Sequence, residues 1–233
     1  MQIKNKIVII TGASQGIGLE TAKLLAGRGA TVALAARSAD VLEKLEKEIP
    51  GAFAIPTDMR NPADIKKLIE KTVEKYGRID VLVNNAGQGM YGSVESVDIE
   101  KYKEIMELNV YGVLRAMQAV IPLMRKQGGG MILNVSSRVS KNYFPNLAAY
   151  ASTKYALNAL SLTARAELVK DNIIVSVMHP KMTATNFGKN SIHVEKFRNI
   201  RPGDRPEMKV DTAEQVAEKI AELITSEAPE AEM

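Results

Sequence analysis

Short apolar runs rich in β-branched residues alternate with longer stretches of helical period along most of the chain, and this alternation limits the available folds more than any other feature. Residues 6–10, 31–35, 52–56, 81–84, 131–135 and 173–178 read as strands. Between them, residues 17–28, 41–49, 64–76, 99–125 and 149–169 set apolar side chains three and four apart, often behind a Ser, Asn or Asp suited to start a helix. Strand then helix, repeated in this way, predicts an α/β fold: a doubly wound parallel sheet of six to seven strands with helices on both faces. In such a sheet the ligand-binding groups gather at the carboxyl ends of the strands.

No Pro/Gly/Ser-rich linker interrupts residues 1–180, and a chain of 233 residues with 45% hydrophobic side chains can bury one sizeable core. A single domain over residues 1–233 is expected. The absence of cysteine removes disulfides, thiolate nucleophiles and Cys-based zinc sites, and two histidines, His179 and His193, are too few for a metal cluster. Neither histidine has a carboxylate at a usable sequence spacing, so a packing role at a strand end and a surface role are expected. The formal charge of +4 is dispersed, which speaks against a nucleic-acid partner. The apolar run at residues 7–10 falls far below the ~20 residues of a membrane span, so no membrane partner and a cytoplasmic location are expected. Residues 181–209 carry Asn, Gly, Pro and seven Lys/Arg without period, which predicts a substrate lid or a poorly ordered loop. A last helix is expected near residues 211–225, and the final residues, 228–233, stop where a seventh strand would begin, predicting a curtailed sheet edge.

Directly after the first strand comes Thr11-Gly12-Ala13-Ser14-Gln15-Gly16-Ile17-Gly18. Glycines there permit a tight turn and close backbone approach to a pyrophosphate, and the helix that follows presents free N–H groups and the positive end of its dipole. The strand before and the helix after supply the context this motif needs; a plain strand-to-helix turn is the competing reading. The second strand ends at Ala36-Arg37-Ser38, where a dinucleotide fold reads the adenosine ribose. An acid at that point would repel a 2′-phosphate, whereas Arg37 and Ser38 offer a cationic fork and a hydroxyl that favour NADP(H) over NAD(H). A surface pairing of Arg37 with Asp40 or Glu43 is the alternative.

Tyr150 and Lys154 stand four residues apart and share a helix face. A neighbouring ammonium favours phenolate, so such a pair is suited to general acid/base work, although an ordinary exposed pair has the same spacing. Ser137 closes the fifth strand, and its hydroxyl can hold a carbonyl oxygen.

Taken together, Thr11-Gly12-x-x-x-Gly16-x-Gly18, Asn84-Asn85-Ala86-Gly87, Asn109, Ser137 and Tyr150-x-x-x-Lys154, in this order, resemble the short-chain dehydrogenase/reductase family over about residues 5–185. The resemblance implies a Rossmann-type fold with Tyr150 as acid/base, Ser137 orienting the substrate carbonyl, and Lys154 lowering the tyrosine pKa while holding the nicotinamide ribose. It implies further that Asn109 binds a water relaying protons to Lys154. In the same way Gly12, Ser14, Gln15, Gly16, Ile17 and Gly18 would cradle the cofactor. Asn85, Ala86 and Gly87 would support the central strand and the adenosine side, and Asp58, with Met59 beside it, would contact adenine. Pro180 and Thr183 would belong to the same cofactor loop, and Thr185 would meet the nicotinamide carboxamide or the phosphates.

Where the family usually carries Pro-Gly after the sixth strand, Pro180 is followed by Lys181, which bars a turn of positive φ and adds a cation near the site. The 3-oxoacyl carrier-protein reductases of the family resemble one another in basic docking residues that fall here at Gly128 and Asp171, and in a last-strand Val-Asp-Gly-Gly that is missing. The expectation is therefore an NADP(H)-dependent reductase of a small carbonyl, or dehydrogenase of a secondary alcohol. Carrier-protein reduction and a non-catalytic NADP(H)-sensing or scaffold role are the alternatives. The family pairs the helices at residues 99–125 and 149–169 across a two-fold axis, so a homodimer is expected, and the tetramer less so.

Overall fold

Parallel neighbours cannot be joined by a tight hairpin, so each strand must return through a crossover. The computed structural model, which describes residues 1–193 and 210–233, shows this arrangement throughout the main sheet. In chain order the first half contains β1 (Ile7–Thr11), α1 (Gly16–Gly27), β2 (Thr31–Ala36), α2 (Ala39–Glu48), β3 (Ala52–Pro56), α3 (Pro62–Tyr76), β4 (Val81–Asn84) and β5 (Met90–Tyr91). The second half contains α4 (Ile99–Met106), α5 (Gly112–Lys126), β6 (Gly130–Val135), α6 (Ala148–Leu168), β7 (Ile173–His179), β8 (Ile192–His193), α7 (Ala213–Ser226) and β9 (Glu230–Glu232).

Seven strands form one parallel sheet in the order β3-β2-β1-β4-β6-β7-β9. Strand order reverses between β1 and β4, which opens a crevice at their carboxyl ends. Successive side chains of a strand point to opposite faces, and the burial follows that rule. Val8 and Ile10 pack with Leu34, Val83 and the α7 residues Val216 and Ile220 on one side. Ile9 packs with Ala33, Leu82, Val113 and Leu157 on the other. Every residue of β4 and β6 is buried, as a strand covered by helices on both faces requires.

Local chemistry sets the helix ends. Asn61 accepts from the Ala63 N–H at 2.9 Å ahead of Pro62, and α3 stops at Gly77 with φ of 75°. Thr212 and Gln215 cap the start of α7 reciprocally.

Three expectations are corrected. The expected helix over residues 99–125 is two helices joined by a π-helical turn, Glu107–Tyr111, because Asn109 is drawn inward by hydrogen bonds that a regular helix would not satisfy. The edge expected to be curtailed carries the seventh strand: Val177, Met178 and His179 pair with Glu230, Ala231 and Glu232. A backbone ladder, the ion pairs of Lys141 with Glu230 and Glu232, and the His179–Glu230 hydrogen bond hold this edge in place of β-branched side chains. Within the expected lid, Ile192 and His193 pair with Met90 and Tyr91, so that part is ordered against β5. The rest of the lid, 194–209, lies outside the described residues. Among the described residues no helix is long and apolar enough to cross a membrane.

Candidate active site

The turn between β1 and α1 is built around close backbone contacts. Gly12 has φ of 67°, and a Cβ there would lie 2.9 Å from Asn85 Nδ2 and 3.0 Å from Ala86 Cα. A Cβ on Gly18 would run into the Gly12 carbonyl and come within 2.5 Å of Asn85 Nδ2. Asn85 donates to the Thr11 carbonyl at 2.9 Å, and the N–H groups of Asn85 and Ala86 both donate to Thr11 Oγ1 at 3.0 Å. Asn85 and Ala86 thus tie β4 to the glycine turn. Ser14, Gln15, Gly16 and Ile17 open α1, and the Gln15 side chain does not cap it. The first-turn N–H groups remain free of a side-chain cap, as an anion-binding helix start requires. Thr185 packs over this turn: its Cγ2 would lie 3.1 Å from a Cβ on Gly16.

At the end of β2, Arg37 and Ser38 are exposed, and Ser38 precedes α2 without spending its hydroxyl on a cap. Asp58 is paired with Arg60, which reaches it at 2.6 and 3.0 Å, and this hydrogen bond holds its carboxyl below the usual range. The Arg37 charge adds to that lowering, which places both residues in one electrostatic neighbourhood. Met59 is buried, its carbonyl against Gly112 at the start of α5.

Tyr150 and Lys154 lie one turn apart on α6, and Ser137 stands two residues past the end of β6, so all three meet at the carboxyl edge of the sheet. Tyr150 and Lys154 are buried. Burial pushes the Tyr150 phenol above its ordinary range, a hydrogen bond with Ser137 pulls it back, and Tyr91 raises it. Burial pushes the Lys154 ammonium down to about 8. Lys154 Nζ donates to the Val135 carbonyl at 2.9 Å. Asn109 is fully buried; its Nδ2 donates to the Gln88 carbonyl at 2.9 Å and to Thr153 Oγ1 at 3.1 Å, and its Oδ1 accepts from the Gln88 N–H at 3.0 Å. A Cβ on Gly87 would lie 3.3 Å from Asn109 Oδ1 and 3.7 Å from Lys154 Nζ, so the bare glycine backbone keeps the space between them open. The Phe187 ring, 5.6 Å from that of Tyr150, covers the phenol from the segment after β7.

That segment starts with Pro180, whose carbonyl accepts from the Arg138 N–H at 2.9 Å. Lys181 is not among the residues of positive φ, so the turn needs no glycine there, and its ammonium pairs with Asp211 at 3.1 Å. Thr183 bridges to Asp211, and its hydroxyl donates to the Lys181 carbonyl. Thr185 Oγ1 accepts from the Phe187 N–H at 3.2 Å.

His179 is fully buried at the end of β7, as a packing role there requires, but its Nε2 also lies 2.8 Å from the carboxylate of Glu230, supplied across the sheet edge by β9, a partner that sequence spacing missed. Ser140 and Asn158, which no motif singled out, complete a polar cluster around it. Met90 is buried with Ile105 and Ala149, whereas Met182 is half exposed.

A family model described as short chain dehydrogenase matches residues 6–196. An uncharacterized oxidoreductase of Staphylococcus saprophyticus is 38% identical over 189 residues, covering 79% of this chain and 77% of its own. A 3alpha-hydroxysteroid dehydrogenase of Mediterraneibacter gnavus is 36% identical over 193 residues, covering 80% and 77%. Among solved structures, a 3-ketoacyl-(acyl-carrier-protein) reductase of Brucella melitensis complexed with NADH is 29% identical, with a TM-score of 0.89 over 99% of this chain and 97% of its own. An alcohol dehydrogenase of Thermococcus sibiricus complexed with 5-hydroxy-NADP, also 29% identical, has a TM-score of 0.85 over 99% and 96%.

Proposed function

Because the chain belongs to the short-chain dehydrogenase family of oxidoreductases, we propose that it is an NADP(H)-dependent enzyme interconverting a small carbonyl compound and the corresponding secondary alcohol. The observation that carries this reading is the meeting of Ser137, Tyr150 and Lys154 at the carboxyl edge of the sheet beside the glycine turn. When bound, the dinucleotide supplies or accepts the hydride.

The chain's own residues fit such a cofactor. The uncapped start of α1 suits the pyrophosphate, Arg37 and Ser38 suit a 2′-phosphate, and the open backbone at Gly87 leaves room beside Lys154. Ser137 holds the substrate oxygen, and Tyr150 exchanges the proton with it. A phenol that burial keeps protonated is well placed to act as the acid in the reductive direction. Lys154, anchored on Val135, would hold the nicotinamide ribose.

Carrier-protein reduction is the weaker reading despite the Brucella structure. Asp171 stands where a basic docking residue is needed, and it holds Arg125 at 2.6 Å. A sensing or scaffold role would not require a buried Tyr and Lys to converge with Ser137. The same reading makes residues 1–233 one catalytic domain working in the cytoplasm as a homodimer, with exposed Tyr111 and Leu162 on the faces that would pair.

The deciding experiment follows NADPH oxidation against diketones, aldehydes, keto acids and 3-oxoacyl thioesters. Turnover with at least one free carbonyl compound is expected. NADPH binding without turnover of any class would favour the sensing role, and turnover confined to carrier-bound thioesters would favour the carrier-protein role.

A further inference from the structure

A buried polar chain links the far edge of the sheet to the loop that bears Ser137. Ser140 is its hub. The Ser140 hydroxyl donates to the Ser137 carbonyl at 2.5 Å and receives Asn158 Nδ2 at 2.9 Å. It also lies 3.4 Å from His179 Nδ1 and 3.3 Å from Ser136 Oγ. On the other side of the imidazole, Glu230 accepts from His179 Nε2 at 2.8 Å and from Lys141 Nζ at 2.8 Å. Lys141 pairs again with Glu232, at 3.9 Å.

The proton positions follow from these partners. Two cationic or N–H donors face Glu230, so the carboxylate is the acceptor and His179 Nε2 carries a hydrogen. Ser140 has a single hydroxyl hydrogen, which is shared between the Ser137 carbonyl at 2.5 Å and, more weakly, His179 Nδ1 at 3.4 Å. The imidazole is fully buried and reaches both neighbours, so its ring plane is set by Glu230 on one nitrogen and Ser140 on the other. Backbone bonds close the same loop: the Ser140 N–H donates to the Ser137 carbonyl at 3.0 Å, and the Arg138 N–H to the Pro180 carbonyl at 2.9 Å.

We propose that Glu230, His179 and Ser140 form a positioning chain that fixes the backbone of Ser137, so that the edge strand β9 sets the aim of the hydroxyl that holds the substrate carbonyl. This rests on the carbonyl-reducing reading for its effect on rate, while the structural link stands on the hydrogen bonds alone. His179 and Glu230 touch no reacting atom in this arrangement; they act through Ser140. The last residue of β7 and the first residue of β9 are thereby made part of the active-site frame.

The test uses Ser140→Ala, Ser140→Thr, Glu230→Gln and His179→Leu in the full chain, with Tyr150→Phe as the reference. Ser140→Ala and His179→Leu are expected to lower kcat about tenfold or more while changing the NADPH Kd less than about twofold, since they leave the cofactor cradle alone. Glu230→Gln, at the accessible edge and safest for folding, is expected to lower kcat several-fold. Ser140→Thr, which keeps the hydroxyl, is expected to recover most of the rate. In a Ser137→Ala background Ser140→Ala should cause no further loss, because residues acting through one group are non-additive. Amide exchange at Val139 and Ser140 should speed about tenfold in Ser140→Ala and Glu230→Gln. Unchanged kcat and unchanged exchange in Ser140→Ala and Glu230→Gln would overturn the proposal, as would a full additional loss in the Ser137→Ala background. If Tyr150→Phe retains turnover, the catalytic reading fails instead, and the exchange measurement alone decides whether the positioning chain exists.

Discussion

Lys154 donates from Nζ to the carbonyl oxygen of Val135 across 2.9 Å, fastening the α6 ammonium to the last residue of β6. The partner is a neutral dipole in a buried setting, so it offsets only part of the cost of removing a charge from water.

That cost should appear as pH-dependent stability in the cofactor-free protein. Burial lowers the Lys154 pKa from 10.5 to about 8. Below about 8 both states hold the proton, and the folded one carries the full penalty of a buried ammonium. Between about 8 and 10.5 the unfolded chain binds more protons than the folded one, so unfolding free energy rises with pH. The rise from this group is about 3 kcal/mol over the window. Urea unfolding of wild type and Lys154→Met from near-neutral pH to about pH 9.5 should show a difference that shifts in favour of wild type as pH rises. A difference independent of pH would contradict the buried-charge account.

Tyr150→Phe should keep NADPH binding nearly intact and reduce turnover at least about a hundredfold, the usual scale for a lost general acid/base. The ring and its contact with Phe187 survive the change, so thermal stability should move little. Steady-state kinetics with fluorescence titration of NADPH reads both quantities. Wild-type turnover in this variant would remove Tyr150 from the chemistry.

Arg37→Ala should weaken NADPH far more than NADH. The guanidinium is exposed, and its charge reaches Asp58, which is already neutralised by Arg60. A 2′-phosphate would therefore meet Arg37 without a strong competing anion, and losing a charge-assisted pair of this kind costs about 1.5–3 kcal/mol. Titration with both nucleotides checks it; equal weakening of the two would refute the phosphate role.

The parts of this fold that were legible in the sequence are those with a local signal. Six strands announced themselves by β-branched runs, and the glycine turn by its position between a strand and a helix. Edge strand β9 gave no such signal, since Glu230-Ala231-Glu232 has no β-branched residue, its alternation is only three residues long, and it is held by its backbone ladder to β7. The π-helical turn at Glu107–Tyr111 was equally silent: its cause is the inward bonding of Asn109 to Gln88 and Thr153, a tertiary demand that helical period does not encode. The partner of His179 was missed for the same reason, because its carboxylate arrives from 51 residues along the chain. Ser140 lies three residues past Ser137, yet only the folded arrangement of β6, α6 and β7 makes it a junction.

Gly18→Ala tests whether the cradle is set by backbone contact. Alanine normally favours a helix over glycine by about 1 kcal/mol, so a helical Gly→Ala change is stabilising where space allows. At Gly18 the new Cβ would meet the Gly12 carbonyl and Asn85 Nδ2, neither of which can swing aside. Asn85 is held by the Thr11 carbonyl at 2.9 Å, and the Gly12 carbonyl is main chain. Over-packing of this kind costs about 1–3 kcal/mol. For a chain of this size, that corresponds to a Tm lower by roughly 2–12 °C. Because the shift displaces the whole turn, NADPH and NADH should weaken together, unlike the selective loss at Arg37. Gly27→Ala, in the last turn of the same helix with nothing within 4 Å of its Cβ, is the control and should leave Tm unchanged or slightly higher. Equal Tm values for Gly18→Ala and Gly27→Ala would show that α1 can move off β1, and that the close approach at the cradle is not what fixes it.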